Sequence, residues 1–99
     1  MTYTTGCNTL KITAIHYDKR ARAKIARHRL SRYQIDSAIK ESTEEAFWGA
    51  DEQHGVRYIV LARLKNDELL YVSLAPTGND GEWKLITAFI PSREGYGYD

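Results

Sequence analysis

The chain has 99 residues, of which 42% are hydrophobic and 27% charged, and its net charge is +1. That length suits one domain, the composition excludes a disordered chain, and no run approaches the roughly 18 apolar residues that a membrane span needs. Cys7 is the single cysteine, which excludes an internal disulfide, and the first residues lack the pattern of a secretory signal. We therefore expect a cytoplasmic protein with one domain over 1–99, in which 1–9 and 95–99 form flexible tails.

The small net charge hides a division along the chain. Residues 1–33 hold eight Lys or Arg and one acid, whereas residues 34–56 hold six acids and one Lys. Concentrated positive charge attracts polyanions or an acidic partner surface. A solvated basic helix would account for the charge equally well.

The first predicted elements are a short strand and a basic helix. Residues 11–17 alternate apolar and polar side chains, which is typical of a strand. Asp18 can cap a helix from about Lys19 to His28, which is rich in Ala, Arg and Lys. The apolar stripe of this helix is narrow, so we expect it to pack along one thin face.

A second helix begins at a clearer signal. Ser31 and Gln34 have the spacing of a capping box, with Ser31 at the N-cap. Leu30 and Ile35 occupy the two positions of a hydrophobic staple, which would fix the angle at which the chain joins the helix.

After Ser42 the pattern changes to period two and predicts strands. Residues 65–68 form the best hairpin turn, because Asn and Asp tolerate positive φ. The sequence therefore predicts an α+β fold: two N-terminal helices packed on one face of a twisted, mainly antiparallel sheet of four to five strands. The strands are expected at Ala46–Trp48, Arg57–Leu64, Leu69–Ala75 and Trp83–Ile90.

The sheet face turned away from the helices is expected to mix arginine, aromatic and aliphatic side chains. This mixture is too apolar for permanent exposure, and it suits a surface that a nucleotide chain or another partner covers part of the time. A different strand register would instead place some of these residues in the core. The predicted set is Arg57, Ile59, Leu61, Arg63, Tyr71, Ser73, Trp83, Leu85, Thr87 and Phe89.

Three short blocks carry a family resemblance. Residues 24–31 are KIARHRLS and lead into 35–38, residues 51–60 are DEQHGVRYIV, and residues 83–88 are WKLITA, followed by Arg93 and a tyrosine-containing tail. Together they resemble the BrnT family of toxins, small ribonucleases with a RelE-like fold from bacterial toxin–antitoxin pairs. The corresponding family motifs are KHGVSFEEA, DERH with GE.R, IRIISAR and ER..Y.

The chain departs from these motifs at four places. Arg29 replaces the glycine after the histidine, and the loop between His54 and Arg57 is shorter. Val56 stands where the family has Glu, and Phe89 where it has the arginine that ends the closing strand. The resemblance therefore implies a divergent member of the broader barnase–colicin–RelE group.

The resemblance implies metal-independent cleavage of RNA, which needs an acid, a base and a cation beside the phosphate. His54 is the best acid or base because imidazole titrates near neutrality, and Arg57 is the better charge stabiliser. His28 is a third catalytic candidate, one helical turn from Lys24. The expected RNA contacts are Lys24, Arg63, Thr87, Arg93 and Tyr98.

Each candidate also has a purely structural interpretation. A loop histidine such as His54 is often plain surface, and His28 near a helix end can serve the helix dipole. The three histidines and Cys7 lack ligand-like spacing, so we expect neither a metal nor another cofactor.

The leading hypothesis is thus a ribonuclease toxin with RNA and a cognate antitoxin protein as partners, and no membrane association. The alternative is a binding module of the same fold that holds a protein or nucleic acid without chemistry. A third idea, a DNA-reading helix-turn-helix, requires Arg32, Tyr33 and Gln34 to be exposed. The sequence sets no oligomeric state.

Overall fold

The structure, a computed structural model, describes residues 10–51 and 55–94. The described residues form five strands, two α-helices and a 3₁₀ helix. In order these are β1 (Ala14–His16), α1 (Lys19–Arg27), α2 (Arg32–Ser42), β2 (Thr43–Asp51), β3 (Gly55–Arg63), β4 (Leu69–Pro76), β5 (Glu82–Phe89) and the 3₁₀ helix (Pro91–Glu94). The predicted tails, 1–9 and 95–99, lie outside the described residues.

One sheet contains all the described strands, in the order β1-β5-β4-β3-β2. β1 runs parallel to β5, and the other neighbours are antiparallel. The predicted α+β class and mainly antiparallel sheet are confirmed, with five strands among the described residues. None of the described helices is long and apolar enough to cross a membrane.

Both ends of α1 are closed by hydrogen bonds. Asp18 Oδ1 accepts from the Ala21 amide at 2.8 Å, which confirms the predicted N-cap. That bond, together with a contact 3.3 Å from Lys84 Nζ, lowers the pKa of Asp18. At the other end the Leu30 amide donates to the Ile25 carbonyl at 2.9 Å, as in a Schellman motif.

The start of α2 has the predicted capping box. Ser31 Oγ accepts from the Gln34 amide at 3.1 Å, and the Ser31 amide donates to Gln34 Oε1 at 2.9 Å. Leu30 and Ile35 are both buried, as their staple positions require.

β2 begins directly after α2 and has nine residues, whereas the sequence predicted a strand only at Ala46–Trp48. It pairs with β3 from Thr43 opposite Ala62 to Asp51 opposite Gly55. Glu and Gly have low strand propensity, but pairing along the whole of β3 overrides that local preference. The hairpin turn between β3 and β4 places Asp67 at φ 72°, as the turn prediction requires.

The buried side chains of both helices and of β3, β4 and β5 form one hydrophobic cluster. α1 lies against β5, and α2 lies against β3. We call the sheet face that contributes to this cluster the core face, and the opposite face the outer face. The strand residues in the cluster are Tyr58, Val60, Ala62, Leu70, Val72, Leu74, Trp83, Leu85 and Ala88.

The predicted side-chain alternation is right for β3 and β4, but Ile59 and Ser73 on the outer face are buried and not exposed as expected. The prediction is wrong for the first half of β5. Trp83 and Leu85 are buried in the core cluster. Ser73 pairs with Thr87, whereas Leu74 pairs with Leu85, so Ile86 is an extra residue on β5. Such a bulge reverses the side-chain alternation, which explains the error.

Candidate nucleic-acid interface

Two of the predicted site residues, His54 and Tyr98, lie outside the described residues. Arg57 is described: it lies near the start of β3, opposite Gly49 of β2, and is half-buried. Because it alternates with Tyr58 of the core face, Arg57 belongs to the outer face.

The C-terminal half of α1 lies along β5 beyond the part that β1 covers. β1 pairs only with Glu82 to Lys84. Further along, Lys24 Nζ donates to the Ile86 carbonyl at 3.3 Å, so this predicted RNA contact also binds a backbone group of β5. One turn later, the His28 ring lies 6.1 Å from the ring of Phe89.

Phe89 belongs to an aromatic pair on the outer face. Its ring centroid is 4.8 Å from that of Tyr71, the residue opposite it on β4. Both residues are half-buried. A histidine and two aromatic rings are therefore adjacent at this edge of the sheet.

Arg93 lies in the 3₁₀ helix, where Glu68 holds its guanidinium. Arg93 Nε donates to Glu68 Oε2 at 3.1 Å, and Nη2 donates to the other carboxylate oxygen. This bidentate contact has the largest effect on the pKa of Glu68 and lowers it. Burial raises the pKa and a hydrogen bond from Asn66 lowers it, so the net effect is a lowered pKa.

Arg93 and the end of α1 line a common cleft. The cleft has a volume of about 470 Å³, and its lining is Arg27, His28, Arg29 and Arg93. We call these four residues the basic cleft. Two of them, His28 and Arg93, were predicted site residues; Arg27 and Arg29 were missed, although the run Arg27-His28-Arg29 was a visible signal.

The remaining predicted contacts lie elsewhere on the outer face. Arg63, at the end of β3, donates from Nε to Glu44 at 2.9 Å and from Nη1 to the Asp67 carbonyl at 2.9 Å. Thr87 is half-buried opposite Ser73.

The structure does not bring Arg57 and His28 to one point. Phe89, the neighbour of His28, pairs with Tyr71, which pairs with Leu61 of β3. Leu61 is four residues from Arg57, so Arg57 and Phe89 lie about 13 Å apart along the strands and two strands, about 9.6 Å, apart across them. A single phosphate cannot contact both sites, although one extended RNA strand spans that distance.

A DNA-reading helix-turn-helix would require the first residues of α2 to be exposed, and they are. Arg32, Tyr33 and Gln34 are exposed, with Tyr33 72% accessible. The Gln34 side chain, however, is engaged in the capping box. DNA reading by α2 therefore stays an untested alternative.

A larger cavity, of about 710 Å³, lies between residues 10–15 and α2. Its lining is half apolar and half polar or charged, and includes none of the predicted site residues. Within the described ranges, no group of three or more His, Cys, Asp and Glu side chains could hold a metal ion.

Comparison with protein-family models, with curated proteins and with solved structures finds no match to this chain.

Proposed function

We propose that this chain is a BrnT-like toxin, a metal-independent endoribonuclease that a cognate antitoxin protein neutralises. The observation that carries the proposal is the position of the basic cleft beside the Tyr71–Phe89 pair. Cationic side chains next to accessible aromatic rings are the combination by which proteins hold single-stranded RNA, through its phosphates and its bases.

In the proposed reaction, the RNA 2′-oxygen attacks the adjacent phosphorus, forming the O2′–P bond and breaking the P–O5′ bond. A base takes the 2′-hydroxyl proton, and an acid supplies a proton to the leaving 5′-oxygen. His54 is proposed for one of these proton transfers, and Arg57, three residues later, for stabilising the pentacoordinate phosphorane. The products are a 2′,3′-cyclic phosphate and a 5′-hydroxyl.

The proposed RelE-like arrangement has both helices on one face of the sheet. The order of elements, a short strand, two helices and then an antiparallel run of strands, is compatible with it. Arg29 adds support, since it adopts a φ of 61° at the position where the resembled motif has glycine. Positive φ favours glycine, so the backbone there agrees with the motif even though the side chain departs from it.

The test is incubation of 5′-labelled single-stranded RNA with purified protein in EDTA. We expect wild type to cleave, His54→Ala and Arg57→Lys to lose activity, and Arg20→Ala, which removes an exposed α1 charge, to retain it. A product ending in a 2′,3′-cyclic phosphate identifies the mechanism. Intact RNA with folded wild-type protein would overturn the ribonuclease proposal.

A second function, a non-catalytic binding module, is favoured by one observation. Three predicted cationic contacts already have partners within the protein: Lys24 with the Ile86 carbonyl, Arg63 with Glu44, and Arg93 with Glu68. Such pairs hold side chains in fixed positions, which suits binding as well as catalysis. This function predicts salt-dependent RNA binding without any cleavage.

A further inference from the structure

We infer that the end of α1 contains a phosphodiester-binding subsite in which Arg29 contacts the phosphate. This inference rests on the proposed binding of RNA and deepens it, because it names a residue and a backbone conformation that hold the RNA chain.

The first observation is the backbone of Arg29. Its φ of 61° lies in the left-handed region, where a side chain with a Cβ is disfavoured and glycine is not. The conformation is fixed on both sides: the Arg29 amide donates to the Ala26 carbonyl at 3.0 Å, and the Leu30 amide to the Ile25 carbonyl at 2.9 Å. These two bonds form the Schellman motif that ends α1, and Arg29 occupies its C′ position, where glycine is usual and an arginine costs backbone free energy.

The second observation is what surrounds Arg29. It lines the basic cleft with Arg27, His28 and Arg93. Glu68 binds Arg93 through Nε and Nη2 and so orients its guanidinium. A guanidinium has five N–H donors, and two contacts to Glu68 leave others for a ligand.

The helix dipole opposes an anion at this end of α1, because the last carbonyls carry partial negative charge. Here the carbonyls of Ile25 and Ala26 accept hydrogen bonds from Leu30 and Arg29. Their charge is thus partly compensated. Glu68 offsets the charge of Arg93, and Arg27 and Arg29 leave the basic cleft with a net positive charge.

The chemistry of the cleft selects the ligand. Guanidinium groups match the oxygens of a phosphate, and the adjacent Phe89 and Tyr71 rings offer a surface for a neighbouring base. The ligand is therefore a phosphodiester of single-stranded RNA.

The experiment uses opposite effects on stability and on binding. Arg29→Gly should raise the melting temperature, because it relieves the left-handed strain. It should also weaken binding of a labelled, 2′-O-methylated single-stranded RNA, which lacks the attacking 2′-hydroxyl, about tenfold, as loss of a charged hydrogen bond predicts. Arg22→Ala removes the same charge from an exposed position on α1 and should change affinity less than about twofold. Arg29→Lys should retain most of the binding and the wild-type melting temperature.

Equal weakening by Arg29→Gly and Arg22→Ala would overturn the subsite, as would wild-type protein that binds no RNA or a fall in melting temperature for Arg29→Gly. The cleavage assay separates this failure from failure of the proposed enzyme. If wild type cleaves RNA and Arg29→Gly binds RNA as tightly as wild type, the subsite is rejected and the ribonuclease proposal stands. If wild type does not cleave RNA but Arg29→Gly binds RNA more weakly than wild type, the subsite is supported and the protein is a binding module.

Discussion

At the scale of single residues, Ser31 provides the clearest stability prediction. Its hydroxyl accepts the Gln34 amide at 3.1 Å in the capping box of α2. Ser31→Ala should lower the free energy of unfolding by about 1 kcal/mol, measured by urea denaturation. Ser37→Ala is the matched control, since the same substitution inside α2 improves helix propensity and should leave stability unchanged or slightly raised. Equal losses from the two substitutions would contradict the capping role.

The Glu68–Arg93 contact predicts a pH dependence. The hydrogen bond from Arg93 lowers the native pKa of Glu68 below its ordinary value of 4.5. Stabilisation by this contact is therefore complete above about pH 4.5 and is lost as the pH falls through the native pKa. At pH 7 the melting temperature of wild type should be higher than that of Glu68→Gln, and the difference between the two melting temperatures should shrink towards pH 3.

Asp80→Asn is the control for that experiment. Asp80 is an exposed carboxylate 3.4 Å from Lys11 Nζ, and exposed pairs of this kind contribute little. Its melting temperature should follow wild type across the pH range. A constant difference between wild type and Glu68→Gln would mean that packing, and not charge, explains the effect.

At the scale of elements, Gly81 determines how β1 joins the sheet. The Gly81 carbonyl accepts from the Thr13 amide at 2.7 Å and from the Ala14 amide at 3.2 Å. A Cβ at Gly81 would lie 2.7 Å from Thr13 Oγ1, and φ is 81°. Gly78 has a similar φ of 94°, but a Cβ there would meet open space.

Gly78→Ala should therefore cost roughly 1 kcal/mol of unfolding free energy for the backbone alone. Gly81→Ala should cost about 1–3 kcal/mol more, because of the collision with Thr13. The difference in unfolding free energy between the two variants, measured by urea denaturation, gives the cost of the collision with Thr13 separately from the backbone cost. Adding Thr13→Ala to Gly81→Ala should recover part of the lost unfolding free energy. If the double variant recovers none of it, the collision with Thr13 is not the cause of the loss.

The helices were predictable because their ends depend on nearby residues. Asp18 and Ser31 cap helices through side chains within three residues, and sequence spacing records that directly. The β5 bulge depends instead on pairing with β4, a segment across a loop, and nothing in the residues around Ile86 distinguishes a bulge from a regular strand. The full length of β2 was missed for a similar reason, since it depends on β3.

The candidate site was predictable only in part. Its residue types, basic and aromatic, follow from composition along α1 and β5. Their meeting in one cleft does not, because Arg93 joins the end of α1 through the fold and is 64 positions after Arg29. In the sequence Arg29 is only a departure from the resembled motif, and its φ of 61° depends on the folded end of α1.

At the scale of the whole molecule, the charge division of the sequence becomes a division between the two edges of the sheet. α1 and its arginines lie against β5, near one edge. β2 is the opposite edge strand and carries the exposed carboxylates of Glu44 and Glu45. RNA attracted by the basic edge would thus be directed away from the acidic edge.

This geometry predicts a difference in salt dependence. For single-stranded RNA, each phosphate contact contributes about 0.7 to the slope of log affinity against log salt concentration. Arg27→Gln, in the basic cleft, should therefore reduce the magnitude of the slope by about 0.7. Glu45→Gln changes the net charge by one unit in the opposite direction at the far edge and should leave the slope as in wild type. A change in slope for Glu45→Gln that equals that of Arg27→Gln in size and is opposite in sign would show that RNA responds to the overall charge and not to contacts at the basic edge.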